Sequence, residues 1–324
     1  MRVVQHAGVL GIVLGLLGSA AWSAENYPSR PIRFMNPTAP GGTAEPIARV
    51  IAAKMSELLG QTVVVDSRGG AGGTVGTGIA ANAPPDGYTI LLGIVSPMAV
   101  NVTLYGAKLK YDPVKSFAPI SMITKVPQVL SVHPNVPAKT ITQLVEHAKQ
   151  PASQLNYGSA GSGTTGHLTA ELFKKRAGIS MTHVPFKGSG PALGAILGAQ
   201  VEVMLSGPPA VLSHAQAGRL RALAVSSKQR TPVLPDVPAF VEAGLPIEIT
   251  SWYCLVVPAG TPARIIERLH TATVASLKSP QVSETLLRIG APPEPSSPDE
   301  LREFLRAEIK KFAEVIAIAG AKID

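Results

Sequence analysis

Two stretches of this chain combine glycines with hydroxyl residues where a strand should turn into a helix. The first is Pro40-Gly41-Gly42-Thr43-Ala44-Glu45. The second is Tyr157-Gly158-Ser159-Ala160-Gly161-Ser162-Gly163-Thr164-Thr165-Gly166-His167, leading into a helix over 168–176. Glycine lets backbone come close to a ligand because no Cβ intervenes. The first N–H groups of a helix lack intrahelical partners and sit at the positive end of its dipole. Together these features suit a small anion. Ser162, Thr164 and Thr165 add hydroxyl donors at the second turn. His167, in the first helical turn, either touches a ligand or covers the turn. One such turn taken singly also fits a plain connector; two in one α/β chain favour a ligand site at the carboxyl ends of strands.

Other chemistries fit less well. Gly161-Ser162-Gly163-Thr164-Thr165-Gly166 matches G-x-G-x-x-G, but the dinucleotide fingerprint also expects an acidic residue about 20 positions on. The chain has Ser180-Met181-Thr182-His183-Val184-Pro185 there. The stretch also misses the P-loop, since His167 stands where Lys is required. No G-x-S-x-G nucleophile elbow occurs. The seven histidines form no H-x-x-x-H pair, and the single Cys254 excludes a Cys-rich metal site. Cys254, in an apolar run, reads as a buried thiol. The reading therefore assigns no catalytic set, no metal and no cofactor.

Alternating elements must position the turns. Residues 31–35 read as a strand, followed by a helix in which Ile47, Val50, Ile51, Met55 and Leu58 recur at helical spacing until Gly60 ends it. Residues 62–65 and 89–92 read as further strands, a βαβ beginning with a parallel sheet. Thr140 with Gln143, and Ser297 with Glu300, fit the capping box; Thr261-Pro262 opens another helix. The last helix starts near Pro298 and carries a stripe of Leu301, Phe304, Leu305, Ile309, Phe312 and Val315. No linker or repeat divides the chain, so a second domain is expected as an insertion, with crossings near 122–130 and 247–257.

At 324 residues the chain suits two domains, and 45% hydrophobic against 15% charged residues excludes a disordered chain. The net charge of +8 is scattered, with no basic run longer than Lys174-Lys175-Arg176, and aromatics make only 5%. Nucleic acid is therefore not an expected partner, whereas a basic surface suits attraction of small anions. Residues 1–23 carry Arg2, an uncharged apolar run over 7–21, and small residues at candidate cleavage points, the pattern of a secretory signal. The run falls short of a comfortable membrane span. The mature chain is expected to be exported, which in a bacterium means the periplasm.

Several motifs in order resemble the Bug family, the substrate-binding proteins of tripartite tricarboxylate transporters. They are Tyr27-Pro28-Ser29-Arg30-Pro31-Ile32, Pro40-Gly41-Gly42, Asp86-Gly87-Tyr88-Thr89 and Tyr111-Asp112-Pro113-Val114. The series continues with the 157–164 turn, His183-Val184-Pro185-Phe186-Lys187-Gly188, Leu234-Pro235-Asp236-Val237-Pro238, Glu242-Ala243-Gly244 and Pro258-Ala259-Gly260-Thr261-Pro262. The resemblance implies an α/β fold of two domains, a type II or Venus-flytrap periplasmic binding protein, each domain a mainly parallel sheet flanked by helices. The implied division is 1–23 as signal, 24–125 with 253–324 as one domain, and 126–252 as the inserted second, with the ligand cleft between. It further implies a monomer that holds a small organic carboxylate and hands it to membrane subunits of the transporter.

Carried over by motif, the ligand residues are Thr38, Gly42, Thr43 and Ala44 in the first domain, and Gly161, Ser162, Gly163, Thr164, Thr165 and His167 in the second. Ser96 matches a ligand-facing position of the family, and Ser206 lies where many members carry Asp. The chain departs from the pattern at Thr43-Ala44-Glu45, where Gly-Thr-Asp is common, and at Thr38, where an aromatic is common. Loss of a carboxylate at Ser206 implies that amino acids are disfavoured against non-amino carboxylates. Two other classes stay open from sequence: an exported α/β hydrolase acting on a small anion, and a ligand-sensing module for a membrane kinase.

Overall fold

A computed structural model describes residues 27–321; the expected signal segment lies outside them. In chain order the first elements are β1 (Ile32–Asn36), α1 (Ala44–Leu59), β2 (Val63–Ser67), α2 (Thr74–Ala81), β3 (Thr89–Ile94), α3 (Asn101–Tyr105) and β4 (Phe117–Pro127). Next come β5 (Val129–Val132), α4 (Ile141–Ala148), β6 (Asn156–Ser159), α5 (Thr165–Ala177), β7 (Thr182–Pro185) and α6 (Ser189–Leu197). The rest are β8 (Val203–Ser206), α7 (Pro208–Gln216), β9 (Arg221–Val225), β10 (Thr250–Pro258), α8 (Ala263–Lys278), α9 (Pro280–Arg288) and α10 (Pro298–Ala319).

The strands form two five-stranded sheets, ordered β2-β1-β3-β10-β4 and β7-β6-β8-β5-β9. Both are mixed: β2-β1-β3 and β7-β6-β8 pair parallel, and one strand in each, β10 or β5, runs antiparallel to both neighbours. A sequence pattern of alternating elements does not expose this, because direction depends on how the chain re-enters a sheet. The chain leaves the first sheet at Gln128, the one residue between β4 and β5, and returns over 226–249 to β10. Ser226 joins the two passages. Its N–H donates to the Gln128 carbonyl and its carbonyl accepts from the Ile249 N–H, its Oγ accepts from the Gln128 N–H at 2.7 Å, and the same hydroxyl donates to the Ile249 carbonyl.

Apolar periodicity positions the helices on these sheets, with small differences from expectation. In α1 the buried face is Ile47, Ala48, Ile51, Ala52, Met55 and Leu59. Leu58 instead points to solvent, because the i+4 step from Met55 lands on Leu59. In α10, Leu301, Leu305 and Phe312 are buried and Phe304, Ile309 and Val315 partly so. The stripe also buries Glu308, which accepts from the Trp252 indole N–H at 2.8 Å. The capping box at Ser297–Glu300 is complete. The one at Thr140 is half formed: Thr140 caps the Gln143 N–H, but Gln143 reaches back one residue further, to the Lys139 N–H. Pro262 is the cap of α8 and not its first helical residue.

Candidate functional site

Five helices begin on one cavity in the cleft between the sheets. Their N-cap residues Thr43 (α1), Gly73 (α2), Thr164 (α5), Gly188 (α6) and Gly207 (α7) all line it. None of the five starts receives a side-chain cap. At α2 the first amides are spent on its own turn, Thr74 on Ala71 and Val75 on Gly70, and at α7 the Ala210 N–H is spent on Gly207, so the amides left to whatever occupies the cavity are the first ones of α1, α5 and α6. Pro208 and Pro209 remove the first donors of α7. Among the described residues Lys187 is the only charged side chain on the wall, and no Asp or Glu lines it. Lys187 has no ion-pair partner among the described residues. The dipole ends and this cation make the cavity a place for negative charge.

Of the expected ligand residues, Thr38, Thr43, Ala44, Thr164, Thr165 and Ser206 come together on the wall. Their hydroxyls are not equivalent. Thr164 Oγ1 donates to the Gly161 carbonyl at 2.7 Å, so its proton closes the turn and is not offered to a ligand. Thr165 lines the cavity and its hydroxyl has no partner among the described residues. Thr43 Oγ1 pairs with Ser206 Oγ across the cleft at 3.3 Å. Burial pushes the Tyr253 hydroxyl far above its ordinary range, which keeps it a neutral donor and acceptor on the wall.

Gly42, Ser96, Gly161, Ser162, Gly163 and His167 are absent from the wall. Gly42 instead admits the opposite domain: a Cβ there would stand 2.2 Å from Ser189 Oγ. That hydroxyl accepts from the Thr43 N–H at 3.4 Å. Ser96 lies behind Gly72. Gly161, Ser162 and Gly163 shape the turn, with Gly161 at φ 122° and Gly163 at φ 77°. His167 covers the turn: its Nδ1 accepts from the Gly163 N–H at 3.1 Å. Glu45 also serves its own loop, accepting from the Gly41 N–H at 2.6 Å and from Arg49. Those two contacts, the backbone one first, hold its carboxyl below the usual range.

The sequence reading missed a third glycine-rich turn, Gly69-Gly70-Ala71-Gly72-Gly73, which runs from β2 into α2 and supplies three wall residues. Four glycines in five residues before a helix were the available signal. Gly73 adopts φ 95°, and a Cβ on Gly69 would meet the Ala39 N at 2.7 Å, so close approach demands glycine at both. Gln128, Ser189, Ser251 and Trp252 were also missed, and no local pattern marks them. Gln128 sits between the sheets on the outward passage and Ser251 at the start of β10, joined by Nε2 donating to Oγ at 2.9 Å.

Behind the 161–165 turn lies a stacked polar cluster. The His167 and His183 rings stack with centroids 4.3 Å apart, and Tyr157 stacks on His183 at 4.8 Å. His183 Nε2 pairs with Ser159 Oγ at 2.7 Å, and that oxygen accepts from the Gly161 N–H at 3.1 Å. Glu171 accepts from the Tyr157 hydroxyl at 2.5 Å and from Lys174 at 2.7 Å. Burial alone would raise the Glu171 carboxyl, but Lys174 and Tyr157 together hold it below the ordinary range. Among the described residues no cluster of three or more metal-ligating side chains exists.

Residues 47–320 match the family described as tripartite tricarboxylate transporter family receptor. Protein BugT of Bordetella pertussis is 37% identical, with the whole of both chains aligned. An R. palustris protein solved with adipate is 36% identical at a TM-score of 0.88, covering 92% of this chain and all of its own. MatC of Rhodopseudomonas palustris, solved with bound malate, is 32% identical at a TM-score of 0.84, covering 90% of this chain and all of its own. The two helix-flanked sheets are the two-domain α/β fold of solved periplasmic binding proteins.

Proposed function

The chain belongs to the tripartite tricarboxylate transporter family of receptors, and we propose that it captures a small organic carboxylate in the periplasm and delivers it, unchanged, to the membrane subunits of such a transporter. The observation that carries this reading is the convergence of five helix starts, three of them with open first amides, on a wall that holds no carboxylate among the described residues. A bound carboxylate takes charge-assisted hydrogen bonds from the first amides of α1, α5 and α6, and from the Thr165 hydroxyl. Closure of the two domains over it removes water and strengthens each bond. The ligand shifts the open–closed balance only by its differential affinity for the closed form, which the membrane partner reads. The ligands of the adipate- and malate-bound relatives support an acid without an amino group.

A wall without Asp or Glu offers an ammonium group no counter-charge. Non-amino di- and tricarboxylates are therefore expected to bind and amino acids to be rejected. Titration calorimetry with adipate, malate, citrate, aspartate and glutamate on the mature protein tests this. Tight binding of aspartate or glutamate alone defeats the specificity, and the appearance of a product from any bound acid defeats the reading as a binder.

A further inference from the structure

We infer that His167 is a positioning residue that holds the Gly161–Thr165 turn in its ligand-ready shape, and does so only as a neutral imidazole. The role rests on the carboxylate-binding reading of the cleft. His167 is 4% exposed and does not reach the wall, so it acts on the ligand only through the turn. Its Nδ1 accepts the Gly163 N–H in a buried bond of 3.1 Å. An acceptor at Nδ1 requires that this nitrogen carry no proton. A protonated ring would face the Gly163 N–H donor with a second donor, breaking the bond and leaving a buried amide unpaired. Gly163 adopts φ 77° and sits one residue before Thr164, the cap of α5, so release of its amide moves the helix start itself.

The surroundings fix what else titrates. From β6 comes Tyr157, and from β7 His183, whose stacked ring opposes a second positive charge at 4.3 Å. On α5 itself stand Glu171 and Lys174, paired with each other, and the charges of Glu171 and a protonated His167 attract each other as well. β8, packed on α5, carries no ionisable side chain over 203–206. From α10, also packed on α5, Glu308 is held by Trp252 and Lys311. His183 secures the other glycine of the turn through Ser159, so two imidazoles brace two amides of one loop.

Asparagine at 167 places Oδ1 where Nδ1 was, keeps an acceptor and cannot titrate; leucine removes the acceptor. The test follows amide hydrogen exchange at Gly163 and adipate and malate affinity between pH 8 and 5.5, for wild type, His167→Asn and His167→Leu. Imidazoles ordinarily titrate near pH 6.5, inside that window. Wild type is expected to lose Gly163 protection and about tenfold in affinity on acidification relative to His167→Asn, which stays flat apart from the ligand's own titration. His167→Leu should show the acid behaviour at every pH. Equal protection and affinity in wild type and His167→Leu overturn the inference, as does a wild-type profile parallel to that of His167→Asn. If His167→Leu does not fold, the wild-type and His167→Asn profiles decide alone. If neither acid binds wild type, the choice of probes or the carboxylate reading fails, and exchange at Gly163 still decides the role of His167.

Discussion

Two helices of this molecule start at a hydroxyl residue and use it in opposite ways. At α10, Ser297 Oγ accepts from the Glu300 N–H at 3.2 Å while Glu300 Oε2 accepts from the Ser297 N–H at 2.8 Å. Both bonds serve the helix. At α5, Thr164 turns its hydroxyl back to the Gly161 carbonyl, and the third helical position is His167 in place of an acid. His167 in turn braces Gly163, outside the helix. The first amides of α5 are left open on the cavity wall. A capped start contributes stability to its own helix; an uncapped start at a cleft keeps that hydrogen-bonding capacity for a guest.

The largest way to break the contrast is at Gly166, the second residue of α5. A Cβ there would lie 2.3 Å from the Leu205 carbonyl oxygen, backbone that cannot step aside without moving β8. Gly166→Ala is expected to cost about 1–3 kcal/mol of stability and to abolish carboxylate binding, by denaturant melts and calorimetry. Near-normal affinity would mean that the α5 start does not hold the ligand. A smaller and more selective effect is expected of Thr165→Val, which removes the wall hydroxyl while keeping the shape. Affinity should fall by about 1–3 kcal/mol with stability changed by less than about 1 kcal/mol, since the buried hydroxyl holds no partner among the described residues. The mirror experiment is Ser297→Ala. It should cost about 1 kcal/mol of stability and leave affinity untouched, since no residue of α10 lines the cavity. A binding defect in Ser297→Ala, or a stability defect without a binding defect in Thr165→Val, would erase the distinction.

The contrast also separates what the sequence could display from what it could not. The Ser297–Glu300 box is legible because both halves lie within one helical turn, and the 157–167 turn because glycines and hydroxyls cluster. The Ile47, Ile51, Met55 face of α1 follows from 3.6-residue periodicity. Thr164 was legible as a residue and misjudged as a donor, because the direction of a hydroxyl depends on where the Gly161 carbonyl points. Gln128, Ser251 and Tyr253 were illegible for a different reason: residues more than a hundred positions apart reach the wall only through the crossing of two sheets. Lys187 stood inside a family motif, yet nothing local said that it would be the one cation on the wall. The antiparallel course of β5 and β10 follows from the same crossings.

Acid should sharpen the comparison by the least amount. Glu300 accepts from the Ser297 N–H and then from the Ser297 hydroxyl, and those bonds hold its carboxyl below the ordinary value of 4.5. A carboxyl whose folded value is depressed contributes its stabilisation above the unfolded value and loses it as pH falls through the folded one. The melting-temperature gap between wild type and Glu300→Ala should therefore be full at pH 7, begin to close below about pH 4.5, and vanish at more acidic pH still. The first turn of α5 contains no acidic residue. The gap between wild type and Thr165→Val should accordingly show no such closure over the same range. A Glu300→Ala gap that is flat with pH would mean that the carboxylate charge does not support the cap, leaving the Ser297 hydroxyl as its sole working half.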